Sequence, residues 1–200
     1  LLLKEEVIDG RLPEYTENGR WIFRDKVNWF SGMMAGELFT FYELTGNEQF
    51  KTLGLKYADA LIPHAGIDYT HDMGFIFMPS VVNAYEITGD NSYRQAGITA
   101  AEMLAKRFNN KGHFIRAWGK LGSASKAGWM IIDTMMNLEL LFWAADETGN
   151  RELYNIAYRH AVTVMKTLIR PDGGSWHVAE FDPETGILEK RRTHQGYSDE

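Results

Sequence analysis

Two hundred residues are enough for one domain with a real core, and 44% hydrophobic with 24% charged residues is the balance of a globular protein. A formal net charge of −6 argues against a nucleic-acid partner, and the absence of cysteine excludes disulfides. The longest apolar run, residues 129–145, contains Asp133, Asn137 and Glu139 and is too short and too polar to cross a membrane, so no membrane partner is expected.

Taken in order, the chain repeats one pattern three times: Phe41-Tyr42-Glu43-Leu44-Thr45-Gly46-Asn47, Ala84-Tyr85-Glu86-Ile87-Thr88-Gly89-Asp90 and Ala145-Asp146-Glu147-Thr148-Gly149-Asn150. Each reads as a helix end, a Gly suited to the left-handed position after it, and an Asn or Asp able to cap the next helix. The spacing therefore predicts helical hairpins, with first helices over 27–44, 75–87 and 127–147 and second helices over 48–61, 91–108 and 151–168. No convincing run of strands is present, although residues 112–118 and 175–181 could form short extended pieces. The long connection between the second and third hairpins is expected to carry a function.

The two helix types differ. The second helices are amphipathic, with Phe50, Leu53, Tyr57 and Leu61 on one side. The first helices are apolar nearly all round, as in Trp129-Met130-Ile131-Ile132, which predicts burial on every side. Buried helices wrapped by amphipathic ones make an α/α toroid, of which three hairpins close only part. The chain opens on Leu1 and stops at Tyr197-Ser198-Asp199-Glu200, so it is expected to be a piece of a longer chain with any signal peptide out of view. A cytoplasmic location is the expectation and a periplasmic one the alternative.

Polar residues stand out against the apolar first helices. Trp29 and Asp72 each precede their turn threonine by sixteen residues and Asp133 by fifteen, placing all three near the helix N-terminal ends, roughly 24 Å from the turns. In a toroid such positions converge at one mouth, where helix N-termini also favour anions. Asp133, one turn before Asn137 in a run of Met, Ile and Trp, should be desolvated and keep its proton toward neutral pH. It could equally brace a neighbouring helix, as Asp72 in His71-Asp72-Met73-Gly74-Phe75 could simply cap one. Trp118, in the long connection, is either a stacking wall or a loop anchor. His194 would begin a fourth inner helix. Aromatic residues make up 13% of the chain and suit a sugar cleft as well as a core, but an anionic sugar would need a locally positive site. Ser123-Ala124-Ser125-Lys126 lacks the companion motifs of penicillin-binding enzymes. The histidines show no metal-binding spacing and no Gly-rich phosphate loop follows a strand, so neither metal nor cofactor is expected.

These residues resemble glycoside hydrolase family 88, the unsaturated glucuronyl hydrolases, along the whole chain. The resemblance is carried by Trp29, by His71-Asp72-Met73-Gly74-Phe75, by Ile131-Ile132-Asp133-Thr134-Met135-Met136-Asn137-Leu138, by Thr193-His194-Gln195-Gly196-Tyr197, and by Trp118 fifteen residues before Asp133. It implies an all-α (α/α)6 barrel, of which residues 1–200 are the N-terminal part and the C-terminal half is absent. It implies a substrate left by polysaccharide lyases, an oligosaccharide ending in a uronate with a C4=C5 double bond. Asp133 is then the general acid toward C4, and Asp72 binds ring hydroxyls and raises the Asp133 pKa. Trp29 and Trp118 stack on sugar rings, His194 contacts the uronate, and His71 and Asn137 are further substrate-binding candidates. The rival readings are an unsaturated rhamnogalacturonyl hydrolase of the same barrel, against which the His-Asp-Met-Gly-Phe stretch argues, and a non-catalytic toroid that only binds sugars or proteins.

Overall fold

A computed structural model describes residues 11–24 and 26–194, so Gln195-Gly196-Tyr197 and the fourth inner helix expected from His194 lie outside the described residues. The chain forms two compact units, one of residues 1–65 and 75–97 and the other of residues 66–74 and 98–200.

The first described elements of the first unit form an antiparallel hairpin that the helical pattern does not predict, β1 (Leu12–Glu17) and β2 (Arg20–Arg24), joined at Asn18-Gly19. Both turn residues have positive φ, which an Asn-Gly loop tolerates. The first helix, α1, runs Met33–Thr45 and not from residue 27. The Asn28 side chain explains the delay: its Oδ1 accepts the Phe30 N–H at 3.1 Å while the Asn28 N–H donates to Ser31 Oγ at 3.0 Å, a local turn that competes with helix. Gly46, at φ 66°, ends α1, and the Asn47 carboxamide accepts the Gln49 N–H at 3.0 Å to open α2 (Glu48–Leu61). The helices approach closely at Gly54, where a methyl group would meet the Phe39 ring at 2.5 Å. Burial of α1 on every side does not hold among the described residues, since Phe41 is 44% and Leu44 76% exposed.

The next helix is continuous over residues 73–88 but not uniform. It comprises α3 (Met73–Phe77), a π-helical stretch Met78–Val82, and α4 (Asn83–Thr88). Pro79 has no N–H to return to the preceding turn, and a wider turn absorbs the mismatch. Helix α5 (Asn91–Ala105) ends before the expected residue 108.

In the second unit, β3 (Phe108–Asn109) pairs with β4 (Phe114–Ile115), and β5 (Trp129–Ile131), β6 (Val178–Phe181) and β7 (Leu188–Arg192) form an antiparallel sheet in that order. The segments expected to be extended contain β4 and β6. The third first-helix, expected over 127–147, is the main correction. Residues 129–131 are strand β5, residues Ile132–Asn137 form a 3-10 helix, and only Leu138–Thr148 is the α-helix α6. The cause is tertiary: Ile131 pairs with Val178 and the Ile132 N–H donates to the His177 carbonyl at 3.0 Å, so the ladder claims groups a helix would use. Helix α7 (Arg151–Thr167) buries Leu153, Ile156, Ala157, His160 and Val164, and Asn150 caps it through the Glu152 N–H at 3.0 Å. Phe114, Met130, Val164, Leu168, Ala179 and Phe181 form one core cluster, with the Phe114 and Phe181 rings stacked at 4.6 Å. Each large side chain so buried contributes about 1.5–3 kcal/mol. Ala117, Ile131 and Val178 form a second cluster under Trp118 and Trp129.

Candidate active site

The second unit gathers three of the expected residues. His71 and Asp72 lie just before α3, and Asp133 lies in the 3-10 stretch before α6. His71 Nε2 is 3.2 Å from Asp72 Oδ1 and 3.9 Å from Asp133 Oδ1. On its other side, His71 Nδ1 meets Thr134 Oγ1 at 2.8 Å. Gly74 permits the approach of these segments, because a methyl group there would lie 2.4 Å from the Asn137 Cα.

The two carboxylates are held differently. Both oxygens of Asp72 have donors on hand: Oδ1 faces His71, Oδ2 accepts the Thr70 hydroxyl, and the Asp72 N–H returns to Thr70 Oγ1 at 3.1 Å. Asp133 presents an accessible side chain, 43% exposed, yet its Oδ1 is sunk and has no hydrogen-bond partner among the described residues. Burial, helped by the charge of Asp72, raises the Asp133 pKa from the usual 3.8 to about 6. His71 is 1% exposed, and burial lowers its pKa to about 4, so the ring is neutral at ordinary pH. Neighbouring Asp72 pulls that value up and Arg107 pushes it down. The His71, Asp72 and Asp133 atoms lie within 4.8 Å of one another, a spacing that also suits a cation.

Around them the long connection is built on two buried arginines. Arg107 donates to the carbonyls of Arg116, Asp68, Ala117 and Gly119 at 2.8, 3.0, 2.8 and 2.9 Å. Arg116 donates to those of Trp118, Ser123 and Ser125 at 2.8, 2.8 and 2.6 Å. Gly119, at φ 85°, leaves room for the Arg116 guanidinium, which a methyl group would meet at 2.5 Å. The outcome is a fixed Trp118, whose backbone bridges to Thr70, two residues before Asp72.

Trp118 stands in an aromatic corner. Trp129 packs on it edge-on at 5.7 Å and the His194 ring lies 5.0 Å away. His177 lies 5.9 Å from His194 and its Nδ1 accepts the His194 N–H at 3.3 Å. Lys126 Nζ sits 5.0 Å from both tryptophan rings, and the Arg192 guanidinium lies 4.1 Å over Trp129. The corner therefore offers flat faces beside the Lys126 ammonium, while the Arg192 charge is already paired with the Glu180 carboxylate, so Lys126 supplies the local positive character an anionic sugar needs in a chain of net charge −6.

The remaining expected residues are placed otherwise. Asn137 is fully buried, and its carboxamide donates to the Asp133 carbonyl at 3.5 Å. Trp29 belongs to the first unit, where it is 52% exposed and packs edge-on to Phe30 and Phe75. Thr134, Thr70, His177, Trp129, Lys126 and Arg192 were not among the site residues expected from the sequence, although Thr134, Trp129 and Lys126 lie in stretches quoted there. Only Thr134 and His177 carried a local signal, being respectively the neighbour of Asp133 and a polar residue in an expected extended segment.

Residues 5–199 match the family model described as Glycosyl Hydrolase Family 88. The chain belongs to this family. Among relatives of this family, the chain is 39% identical over 180 residues to an unsaturated chondroitin disaccharide hydrolase of Streptococcus pneumoniae, covering 88% of this chain and 45% of that protein. A crystal structure of the unsaturated glucuronyl hydrolase from Bacillus sp. GL1, described as responsible for glycosaminoglycan degradation, superposes with a TM-score of 0.87 at 31% identity, over 95% of this chain and 52% of that one. A crystal structure of an unsaturated glucuronyl hydrolase specific for heparin gives a TM-score of 0.87 at 35% identity, over 96% and 51%. The chain thus spans about half the length of the family 88 relatives it matches. Its helical hairpins fit an α/α toroid. Among the described residues, no helix is long and apolar enough to cross a membrane.

Proposed function

We propose that the protein is a glycoside hydrolase that removes an unsaturated, 4-deoxy-Δ4 glucuronate from the non-reducing end of lyase-generated oligosaccharides, and that residues 1–200 supply the first part of an (α/α)6 barrel. The observation that carries this reading is a carboxyl group, Asp133, held at a pKa of about 6 with an accessible face, beside a second carboxylate and a neutral imidazole. A general acid that must still hold its proton near neutral pH needs that environment.

Asp133 transfers its proton to C4 of the vinyl ether, and the C4=C5 electron pair forms the new C–H bond. The ring oxygen shares the positive charge that develops at C5. Water adds to C5 and gives a proton back to the Asp133 carboxylate. The hemiketal opens and the next sugar leaves, giving a 4-deoxy-5-keto uronate. Asp72 holds ring hydroxyls and keeps the Asp133 proton from being lost too early. Trp118 offers a stacking face, and His194, with His177 and the Lys126 cation, receives the anionic sugar. Because the anomeric carbon is not attacked, the carboxylate-separation rule of ordinary glycosidases has no bearing here.

The test is turnover of an unsaturated glucuronyl disaccharide by the natural full-length protein in heavy water. The expected result is loss of the ultraviolet absorbance of the conjugated double bond, with one deuterium on C4 of the product. A product with no carbon-bound deuterium refutes protonation at C4.

A further inference from the structure

We propose that Thr134 is a positioning residue for the carboxylate pair: its hydroxyl holds His71 in the tautomer whose single N–H, on Nε2, is shared between Asp72 and Asp133. The proposal rests on the hydrolase reading above for its consequence, but not for its geometry.

Both ring nitrogens of His71 have a named neighbour. Nε2 faces Asp72 Oδ1 at 3.2 Å, and a carboxylate can only accept, so the ring hydrogen belongs on Nε2. Nδ1 is then an acceptor, and the group 2.8 Å from it is the Thr134 hydroxyl, which donates. Thr134 is 0% and His71 1% exposed, so bulk water does not replace that donor. If the hydroxyl were lost, Nδ1 would be a buried acceptor without a partner. Moving the hydrogen to Nδ1 would turn an Nε2 lone pair toward the Asp72 carboxylate 3.2 Å away, which has no hydrogen to donate.

Thr134 follows Asp133 directly, within the same 3-10 stretch, so one turn of backbone places both the acid and the group that sets the tautomer. The sunken Asp133 Oδ1 gives the arrangement its purpose. That oxygen has no partner among the described residues, and His71 Nε2 lies 3.9 Å from it, beyond the roughly 3.2 Å limit of an ordinary N–H···O bond. While Asp133 carries its proton, His71 serves Asp72. When the proton has gone to C4, Oδ1 shares a full negative charge and a small closure brings the same N–H onto it. His71 gives up no proton. It steadies the Asp133 carboxylate until water returns one.

The test uses the natural full-length protein with Thr134→Val, which keeps the shape and removes the hydroxyl, and Thr134→Ser, which keeps the hydroxyl. Thr134→Val is expected to lower kcat about tenfold to a hundredfold, by analogy with losing the outer partner that orients a metal-bound histidine. Its KM is expected to stay within about twofold, and Thr134→Ser to restore most of kcat. Nitrogen-15 spectra of the wild-type histidines are expected to show His71, identified by the signal lost in His71→Gln, with hydrogen on Nε2 and bare Nδ1. A Thr134→Val enzyme with wild-type kcat, a Thr134→Ser enzyme as slow as Thr134→Val, or a wild-type His71 protonated on Nδ1 would each overturn the proposal. If Thr134→Val does not fold, the wild-type spectrum decides alone. A wild-type protein inert on unsaturated glucuronides would instead sink the hydrolase reading while leaving the tautomer measurable.

Discussion

Arg107 and His71 are both almost fully buried in the second unit, but their surroundings treat them differently. Arg107 spends its donors on four backbone carbonyls and, with Arg116, ties down the loop that carries Trp118. Its burial lowers its pKa only to about 10, so it stays charged and occupied. The group around His71 is incomplete by comparison: its imidazole has one hydrogen for two carboxylates, and Asp133 Oδ1 is left bare. A fully satisfied cluster holds a shape, whereas a cluster one hydrogen bond short holds a group in a high-energy protonation balance. The first is architecture and the second is the part of the unit poised for chemistry.

The sharpest way to break this comparison is at its unsatisfied end. On the proposed reaction, Asp133→Asn in the natural full-length protein is expected to cost about 10²–10⁴-fold in turnover, the usual worth of general acid–base catalysis, with the circular dichroism spectrum unchanged. Activity within threefold of wild type would remove Asp133 from the mechanism.

At the satisfied end the expected loss is of stability. Arg107→Met leaves carbonyls of Arg116, Asp68, Ala117 and Gly119 without their donor, and a buried group so orphaned costs about 1–3 kcal/mol. Urea unfolding should register a loss of at least about 3 kcal/mol, which Arg107→Lys should not recover because an ammonium cannot span four carbonyls in one plane. A loss below about 1 kcal/mol would show that the loop does not depend on this guanidinium.

Asp72→Asn sharpens the contrast by removing the charge, at the cost of one of the two oxygens that face His71 and Thr70. Burial is the first cause of the raised Asp133 pKa and Asp72 the second, so removing the charge lowers that pKa. Since the acid form does the work, the basic limb of the rate profile should move to lower pH. An unmoved limb would mean that the two carboxylates are not coupled in the working enzyme.

The smallest expected effect concerns stability against pH. Folding raises the Asp133 pKa from 3.8 to about 6, so in this window the folded state binds more protons than the unfolded one. The Asp133 contribution is therefore present below the lower value and is lost as pH rises through the upper one. Asp133→Asn lacks this loss, so its stability relative to wild type should improve between about pH 4 and pH 7. Because the side chain is 43% exposed, solvent screening keeps the gain small. A difference that stays flat over that range, measured by denaturation at each pH, would contradict the raised value.

What the sequence determined by itself was local. Gly46, Gly89 and Gly149 adopt the left-handed conformation, and Asn47, Asp90 and Asn150 accept an N–H two residues on, as their patterns predict. Such signals need only neighbours within a few positions, so they survive any tertiary arrangement. The motif around Asp133 was equally legible as a carboxylate in apolar company. Its setting was not: a helix pattern over 127–147 lost residues 129–137 to a strand and a 3-10 stretch because Val178 and the His177 carbonyl, far along the chain, claim that backbone. The 2.8 Å contact between His71 and Thr134 likewise joins residues 63 positions apart. Strand ladders and buried side-chain hydrogen bonds are decided by which partner arrives, and only the tertiary structure brings the partner.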